Sequence, residues 1–535
     1  MRRIALSVVA LIALACASGA AGSPVFVLHG HGWGHGVGMS QYGALGRAND
    51  GQGYKQILGF YYDGTNVGQS TQSKMKVLLM SGRSSLTLRS SASFKVDGKK
   101  LARFRDWKVV PTSGGRVRVI DKGKFGSPAT ATPGTGFLRV DGLRYRGRLK
   151  IYNHGGSLDV VNVVGMQGYL YSVVPRETPA DWPMQALKAQ AVAARSYGAG
   201  THRKSWYDVY DDTNDQVYGG LDYGDGEDSR STAAVNATPG EVAKHSGTVV
   251  SAFFSSSNGG RTAASADTWG GVESYLISKS DPFDLNVDNP NRAWTVVLSP
   301  RGLQNRLGAG HKPLDAIVTS RASGRVNRVS LVRGAWSQAF PSSGLGPEYF
   351  RRALGLRSSR FDLGVLDVKP SKTKSICGRR VELDVLAREM GKFTLQRRRS
   401  GSGSWTHMSV TKRDAAHYDG IDRPCRATSY RLHSPAANTS PVTVKVAPKI
   451  VFSATQPAND GLKGIVRPMS LTGQTVHVDR HHNGKWIKNV GTATVQPDGR
   501  WHAHFDAVSG TYRARLTPPA STGLVPGASP VLNFN

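Results

Sequence analysis

The chain has 535 residues and carries 69 Lys and Arg against 37 Asp and Glu, a formal net charge of +32 at pH 7. This length predicts two to four domains, and the basic excess predicts an anionic partner unless it reflects a basic bias of the whole proteome. The chain has 3 cysteines, too few for a cysteine-rich metal cage. No apolar run after the N-terminus approaches the ~20 residues that span a bilayer.

The N-terminal stretch "MRRIALSVVALIALACASGAAGS" has two arginines, an apolar run and then small residues. This pattern predicts a secretory signal over residues 1–22, and therefore a secreted protein. Cys16 raises the alternative of a lipoprotein anchor, although Ala13 stands where such anchors usually have leucine.

The stretch "HGHGWGHGVGMSQYGA", from His29 to Ala44, has glycine at every second position from Gly30 to Gly38. If it is extended, the intervening side chains share one face and the other face carries none. Such a strand would admit a glycan or a neighbouring strand close to its backbone. We do not expect zinc at its histidines, because no cysteine is near and alternation alone does not give tetrahedral geometry.

Residues 23–364 contain short Val/Ile/Leu-rich strands such as "MKVLLM", "GRLKIYN" and "LDVVNVV", together with one clear helix near 183–199. This mixture predicts an α+β domain. Asp181 is the predicted N-cap of the helix, with Pro183 in its first turn.

The helix is predicted to place Gln190 and Tyr197 on one alanine-lined face, and Lys188 and Arg195 on another. Glu177 is predicted to lie in the turn ahead of this helix. A general acid there would need burial to raise its pKa, for example against Trp182 or Tyr171; the alternative is a surface glutamate.

The C-terminal region changes to alternating strands without helices. Two similar segments, residues 365–447 and 448–535, predict two all-β sandwich domains. The first contains Cys377 and Cys425, an even pair in an exported chain, so we expect a disulfide between them.

Several long blocks resemble one known family: "GHGWGHGVGMSQYGA", "ILGFYYDGT", "VVPRETPADWPMQALKAQAVAARSY", "AFFSSSNGGRT", "DTWGG" and "YLISKSDPFD". Together they are similar to the sporulation stage II protein D (SpoIID) family, which includes LytB-type amidase enhancers, over about residues 26–363. The resemblance implies a lytic transglycosylase that cuts between N-acetylmuramic acid and N-acetylglucosamine and leaves a 1,6-anhydro end. It maps the catalytic acid/base to Glu177, with Thr178 a departure from the usual Glu-Met-Pro.

A single acid suits this chemistry. Ordinary glycosidases need two carboxylates, whereas here the C6 hydroxyl of the sugar attacks from within the ring at a large effective molarity. The resemblance and the helix faces suggest the following substrate-binding residues: His31, His35, Gln41, Tyr42, Lys188, Gln190, Arg195, Tyr197 and Ser257. Lys188 and Arg195 would hold a lactyl carboxylate or an anionic strand, or else be solvated helix cations.

The chain departs from its relatives in two further ways. In many of them the glycine-rich block closes the domain, so its position at the start here predicts a circular permutation. Some relatives bind zinc through a Cys/His cluster before "QVY", where this chain has Asp208, Asp211, Asp212 and Asp215. We therefore expect no zinc and no other cofactor, and interpret these residues as a solvated acidic loop rather than a calcium site.

The expected partners are peptidoglycan glycan strands and other anionic wall polymers. A non-catalytic wall-binding protein that activates a partner amidase is the alternative, since both functions use the same fold. An exported nucleic-acid binder is not favoured, because no basic–aromatic motif accompanies the charge.

Overall fold

The computed structural model describes residues 22–222, 226–341, 346–453 and 461–534. The predicted signal lies outside these residues except for Gly22. None of the helices in the described ranges is long and apolar enough to cross a membrane.

The N-terminal segment forms small elements that pack around the middle of the chain. They are β1 (Val25–Gly30), β2 (Met39–Ser40), α1 (Gln41–Asn49), α2 (Tyr54–Tyr61) and β3 (Asn66–Gln69).

Residues 74–165 form two β-sheets packed on one apolar core, which includes the predicted strands. The elements are β4 (Lys74–Arg83), β5 (Leu86–Arg89), β6 (Phe94–Val96), β7 (Lys99–Leu101), β8 (Trp107–Pro111), β9 (Val117–Val119), β10 (Gly123–Phe125), β11 (Ala129–Pro133), β12 (Leu138–Val140), β13 (Leu143–Tyr145), β14 (Arg148–His154) and β15 (Ser157–Gly165). One sheet has the strand order β10-β9-β8-β5-β12-β13. The other has the order β16-β4-β15-β14-β11-β6-β7, in which β16 (Val209–Tyr210) comes from the next segment of the chain.

The following segment holds the helices nearest the candidate site. Its elements are α3 (Met166–Glu177), α4 (Met184–Gly200), β16 (Val209–Tyr210), α5 (Ser229–Asn236), β17 (Glu241–His245), β18 (Thr248–Val249) and β19 (Phe254–Ser255). Helix α4 confirms the helix predicted near 183–199. Its small side chains allow close packing on two sides: Ala191 and Ala194 join the core of the two sheets, and Ala189 and Ala193 join a second core with α1 and α2.

The predicted N-cap of α4 is wrong. The capping position is Pro183, which has extended backbone and makes no side-chain capping bond, and Asp181 lies two residues earlier on the surface. Because proline has no N–H to donate, it disrupts the interior of a helix but is tolerated where a helix starts. Helix α4 therefore begins directly after Pro183.

The next segment contains a three-stranded sheet, β21-β22-β23, and short helices. Its elements are α6 (Ser265–Trp269), β20 (Trp294–Leu298), α7 (Pro300–Leu307), β21 (Asp315–Ala322), β22 (Arg325–Arg333), β23 (Trp336–Phe340) and α8 (Glu348–Leu354).

The C-terminal region consists of paired β-sheets, which agrees with an α+β region followed by β-sandwiches. The first layer pair contains β24 (Phe361–Pro370), β25 (Lys374–Ile376), β26 (Val381–Arg388), β27 (Thr394–Arg399), β28 (Thr406–Met408), β29 (Thr411–Lys412), β30 (His417–Asp422), β31 (Thr428–His433) and β32 (Val442–Ala447). Its sheets have the orders β20-β1-β24-β26-β30-β29 and β25-β32-β31-β27-β28. The predicted disulfide between Cys377 and Cys425 is confirmed, and it joins the end of β25 to the segment after β30.

The second layer pair contains β33 (Lys449–Phe452), β34 (Leu462–Arg467), β35 (Thr475–His482), β36 (Lys485–Thr494), β37 (Arg500–Ala503), β38 (Gly510–Leu516), β39 (Gly527–Ala528) and β40 (Leu532–Phe534). Its sheets are β33-β34-β37 and β36-β35-β38-β39, with β40 on β38.

Strand β1 connects the two halves of the chain. It runs antiparallel between β20 and β24, with Leu28 opposite both Val296 and Leu363. Its side chains alternate, so Phe26 and Leu28 enter the core with α7 and α8, whereas Val27 enters the core of the first sandwich. The predicted boundary between residues 364 and 365 falls inside β24, and the circular permutation stays a prediction.

The glycine-rich block is not an extended strand. Gly32, Gly34, Gly36 and Gly38 have φ of 83°, 105°, 73° and 69°, the left-handed region that only glycine enters readily. The intervening side chains therefore do not share one face. The expected close approach exists, but the neighbour is the chain itself, because a Cβ on Gly36 would lie 1.8 Å from Nη2 of Arg325.

We expect Gly36→Ala to destabilise the fold by at least about 2 kcal/mol more than Gly82→Ala, because it adds a buried overlap to the backbone strain. Gly82 is the matched control: its φ is +70°, and a Cβ there would meet nothing within 4 Å. Urea unfolding of both variants measures the difference. Equal losses of stability would show that the overlap with Arg325 costs nothing.

Candidate functional site

Glu177 is the last residue of α3, not part of a free turn as predicted. Pro175 occupies the last turn of the helix, and Thr178 then takes an extended conformation while its N–H still bonds to the Val174 carbonyl. A proline weakens the helix there and the extended residue ends it, so the Glu177 side chain projects from a helix C-terminus.

The Glu177 side chain is half-buried, and its carboxylate is hydrogen-bonded to the backbone. Its Oε1 accepts the backbone N–H of Val217 at 2.9 Å. Burial raises the pKa of Glu177 above its ordinary value of 4.5, and the Val217 N–H and the Gln41 side chain offset part of that rise. The negative end of the α3 dipole also disfavours a charged carboxylate.

The predicted neighbours of Glu177 have other partners. The Tyr171 hydroxyl donates to Oδ1 of Asn236 at 2.6 Å, and the Trp182 ring packs against Tyr42 with centroids 5.1 Å apart.

Helix α1 brings Gln41 to the site. Ser40 caps the helix, since its Oγ accepts the Gly43 N–H at 3.1 Å. Gln41 is buried and approaches the Glu177 carboxylate closely enough to lower its pKa, although its amide nitrogen does not complete a hydrogen bond of ordinary geometry. The structure thus brings one predicted substrate-binding residue, Gln41, together with the predicted acid.

The acidic loop is only partly solvated, which corrects the prediction: residues 212–214 are exposed, but the side chains of Asp208 and Asp215 are buried. The Asp215 side chain is 0% exposed and accepts hydrogen bonds from the Tyr197 hydroxyl at 2.6 Å and the Tyr210 N–H at 2.8 Å, besides pairing with Arg203. Asp208 is also buried, and Asp212 is exposed.

These bonds fix the loop that supplies the Val217 N–H. Burial raises the pKa of Asp211, in the same loop, to about 7. Tyr197, predicted to bind substrate, instead uses its hydroxyl to hold Asp215, so it acts on the site by supporting this loop.

Two predicted substrate-binding residues of α4 lie in the interior. Arg195 is 0% exposed and donates to the carbonyl of Glu241 at 2.8 Å and to Oε1 of Gln167 at 3.1 Å. Both predictions for Arg195, a substrate-binding residue or a solvated cation, are therefore wrong. Gln190 is 1% exposed, and neither of its amide atoms has a hydrogen-bond partner among the described residues. Lys188 is half-exposed, with its ammonium 5.8 Å from the Tyr54 ring centroid.

Ser257, also predicted to bind substrate, is fully buried. Its Oγ donates to Oδ2 of Asp284 at 2.8 Å. Asp284 further accepts the Ser40 hydroxyl at 2.5 Å and the Gly259 N–H at 2.9 Å. Ser257 therefore serves the interior rather than a surface open to a glycan.

The neighbouring Asp281 is equally buried. It accepts hydrogen bonds from the Tyr61 hydroxyl at 2.6 Å and from the Asn258 amide at 2.7 Å, and it pairs with Arg47 at 3.2 Å. Sequence reasoning assigned no role to Asp281 or Asp284, although both stand in the quoted block "YLISKSDPFD".

The two predicted histidines belong to the glycine-rich block. Nδ1 of His31 lies 2.6 Å from the Arg292 carbonyl oxygen. Burial, and then the charges of Arg351 and Arg325, lower the pKa of His35 to about 3. Its Nδ1 accepts the Val37 N–H at 3.0 Å, which agrees with a neutral ring.

The His35 ring lies among aromatic side chains, with centroids 5.2 Å from Trp269 and 6.2 Å from Phe253. Within the ranges that the structure describes, no group of three His, Cys, Asp or Glu side chains is placed to hold a metal ion.

Comparison with known proteins confirms the predicted family. Residues 154–245, which span α3, α4 and α5, match the family model described as SpoIID, stage II sporulation protein. The chain therefore carries a domain of the SpoIID/LytB amidase-enhancer family.

Three relatives match parts of the chain. The amidase enhancer of Bacillus subtilis (strain 168) is 42% identical over 137 residues, which is 26% of this chain and 18% of that protein. An uncharacterized protein of Brachyspira hyodysenteriae (strain ATCC 49526 / WA1) is 31% identical over 36% of this chain and 53% of its own length. Stage II sporulation protein D of Bacillus amyloliquefaciens is 28% identical over 38% of this chain and 61% of its own length. The chain thus spans less than two thirds of the length of each.

Solved structures match the chain at low similarity. A cytokine receptor complex has 14% identity and a TM-score of 0.20, over 31% of this chain and 95% of that chain. The titin Ig tandem domains A164-A165 have 10% identity and a TM-score of 0.15, over 31% of this chain and 94% of that chain. At these TM-scores the matches carry no argument about the fold.

We expect Glu177→Gln to raise the melting temperature by about 2 °C at pH 8 and to leave it unchanged near pH 4. The folded state raises the pKa of this carboxyl, so its ionisation costs stability as the pH rises above the unfolded-state value, and glutamine removes that cost. Glu382→Gln, at an exposed position, is the control. A variant that is less stable than the wild type at pH 8 would contradict the buried, protonation-favouring environment.

Proposed function

We propose that the protein is an exported, cell-wall-associated lytic transglycosylase that cleaves the bond between N-acetylmuramic acid and N-acetylglucosamine. The observation that carries this proposal is Glu177, a carboxyl whose pKa is raised by burial at the junction of α1, α3 and the loop of residues 211–219. A raised pKa keeps a carboxylic acid protonated at higher pH, which a general acid requires.

The hydrogen bond from Val217 orients the proton. Oε1 of Glu177 accepts the backbone N–H of Val217. A proton on Oε1 would therefore point at the hydrogen of that N–H group and be repelled by it. The acidic proton therefore sits on Oε2, and Oε2 is the atom that protonates the glycosidic oxygen. The same N–H stabilises the carboxylate that remains after proton transfer.

The reaction then balances with a single acid. Protonation by Glu177 breaks the bond between C1 of the muramic acid and the leaving oxygen, and the C6 hydroxyl of the same sugar forms the new bond to C1. The Glu177 carboxylate accepts the hydroxyl proton and returns to its starting state. No water is consumed, so the product keeps a 1,6-anhydro end.

Three predicted substrate-binding residues stay candidates for contact with the glycan: Tyr42 and Lys188, which are partly exposed, and Gln41, which is buried. Tyr42 is half-buried against Trp182, and burial and Asp288 raise its pKa, so its hydroxyl is available as a donor to sugar oxygens. Gln41 contacts the acid itself, and Lys188 offers a cation for a lactyl carboxylate.

The family assignment and the names of two relatives, amidase enhancer and stage II sporulation protein D, support a role at the cell wall. The predicted signal supports export. The 42% identity to an amidase enhancer favours a second candidate function, in which the chain binds the wall and activates a partner amidase without cutting glycan.

The test is digestion of purified glycan strands, with and without stem peptides, followed by mass analysis of the ends. We expect anhydro-muramic ends from the wild type, and a rate at least about 100-fold lower from Glu177→Gln, because the leaving oxygen loses its proton donor. Glu382→Gln should retain full activity. If wild-type protein yields no anhydro ends on either substrate, the enzyme proposal fails, and stimulation of a purified amidase becomes the assay.

We also expect kcat/KM to fall as the pH rises through the raised pKa of Glu177, since the reaction starts from the protonated acid. Initial rates across pH 4 to 9, on substrate well below KM, measure this profile. A rate that rises monotonically over this range would instead indicate a base as the first essential group.

A further inference from the structure

The two sheets of the first sandwich differ sharply in charge. The strands of the sheet β25-β32-β31-β27-β28 contain no Asp or Glu. Their basic residues are Lys374, Arg397, Arg398, Arg399, Arg431 and Lys445. The facing strands β24, β26 and β30 carry Asp362, Asp367, Glu382, Asp384, Asp419 and Asp422.

The acidic sheet is neutralised by nearby cations. Arg413 pairs with Asp384 and Asp419, at 2.7 and 3.0 Å. Arg397 reaches Asp422 at 2.7 Å. The basic sheet therefore keeps most of its positive charge for another partner.

The strand register gathers this charge on the outer face. Arg398 lies opposite Ser429, and Ser429 lies opposite Thr443, so a cation and two hydroxyls form a row across three strands. The alternating residues Thr428, Tyr430 and Val444 are buried, which directs this row outward. Adjacent strands place these groups about 4.8 Å apart.

Two guanidinium groups share one aromatic ring on this face. The guanidinium carbons of Arg398 and Arg431 lie 4.8 and 4.2 Å from the Trp405 ring centroid. Neither arginine forms an ion pair with any residue that the structure describes. Burial and the charge of Arg398 lower the pKa of Arg431, as expected for uncompensated like charges.

A cavity of about 350 Å³ opens beside the row. Its polar lining consists of Arg398, Arg399, Ser400, Ser402, Ser429 and Thr443. We call this cavity and the row together the basic sheet face.

We propose that the basic sheet face binds a phosphodiester-linked wall polymer. A guanidinium fork contacts two oxygens of a phosphate, and the tetrahedral phosphate presents a further oxygen on the other side. The hydroxyls of Ser429 and Thr443 share a hydrogen bond of 2.7 Å, which leaves one of their two protons to donate to that oxygen. A planar carboxylate offers its oxygens in one plane and fits this lining less fully. This inference rests on the proposed cell-wall role and supplies the ligand class of the first sandwich.

The same geometry disfavours single-stranded nucleic acid, the other phosphodiester polymer. Non-specific binders of nucleic acid stack bases on free aromatic rings. Here guanidinium groups already lie over Trp405, the tryptophan of this face.

The test uses the full mature chain and insoluble peptidoglycan sacculi that carry poly(glycerol phosphate), before and after hydrofluoric acid removes that polymer. Cosedimentation gives the Kd. We expect the double variant Arg398→Gln/Arg431→Gln to bind intact sacculi at least about tenfold more weakly than wild type. Lys485→Gln/Lys488→Gln removes the same charge from exposed positions of the second sandwich and should bind as wild type does. Wild-type protein should bind stripped sacculi no more tightly than the arginine variant binds intact sacculi.

Three results would overturn the proposal: unchanged binding after stripping, equal weakening by the lysine variant, or complete competition by single-stranded DNA of equal charge. The first would identify glycan or peptide carboxylates as the ligand, and the second a net-charge effect. If the double variant fails to fold, Arg398→Gln alone serves, since that side chain is exposed. Cleavage of soluble glycan strands should be unchanged in these variants, so a failure here is distinct from a failure of the transglycosylase proposal.

Discussion

Two adjacent buried carboxylates, those of Asp281 and Asp284, hold the candidate site together. Burying charge is costly unless it is fully hydrogen-bonded, and here hydroxyls, backbone N–H groups and Arg47 supply the bonds. Ser40 connects this interior to the site, because its hydroxyl both donates to Asp284 and caps α1. The orientation of α1, and hence of Gln41 against Glu177, depends on that shared hydroxyl.

A second set of bonds reaches Glu177 from the opposite side. Tyr197 on α4 holds Asp215, Asp215 holds the loop, and the loop presents the Val217 N–H to the acid. The protonation of the Glu177 carboxyl thus depends on groups held by other elements of the fold. The polar side chains of Gln190 and Arg195 on α4 are interior as well, and support the fold around the site.

Local patterns predicted part of this structure. The alanine-rich run identified α4, the two cysteines identified their disulfide, and the motif blocks identified the family. The glycine-rich block misled because glycine is equally compatible with extended and left-handed backbone, so spacing alone cannot distinguish them. The interior positions of Arg195 and Ser257 depend on Glu241, Gln167 and Asp284, residues distant in sequence, and no local periodicity reveals such partners.

The position of β1 has a kinetic consequence. His29 in β1 meets Thr295, 266 positions along the chain, and the other edge of β1 pairs with β24. Strand β1 is therefore paired on both edges only after the residues as far as β24 have been synthesised. Contacts this distant in sequence slow folding, and until they form, the apolar segment "VFVLHG" presents two unpaired edges. An apolar strand with two open edges is prone to pair with other chains, so β1 is exposed to aggregation until β20 and β24 are in place.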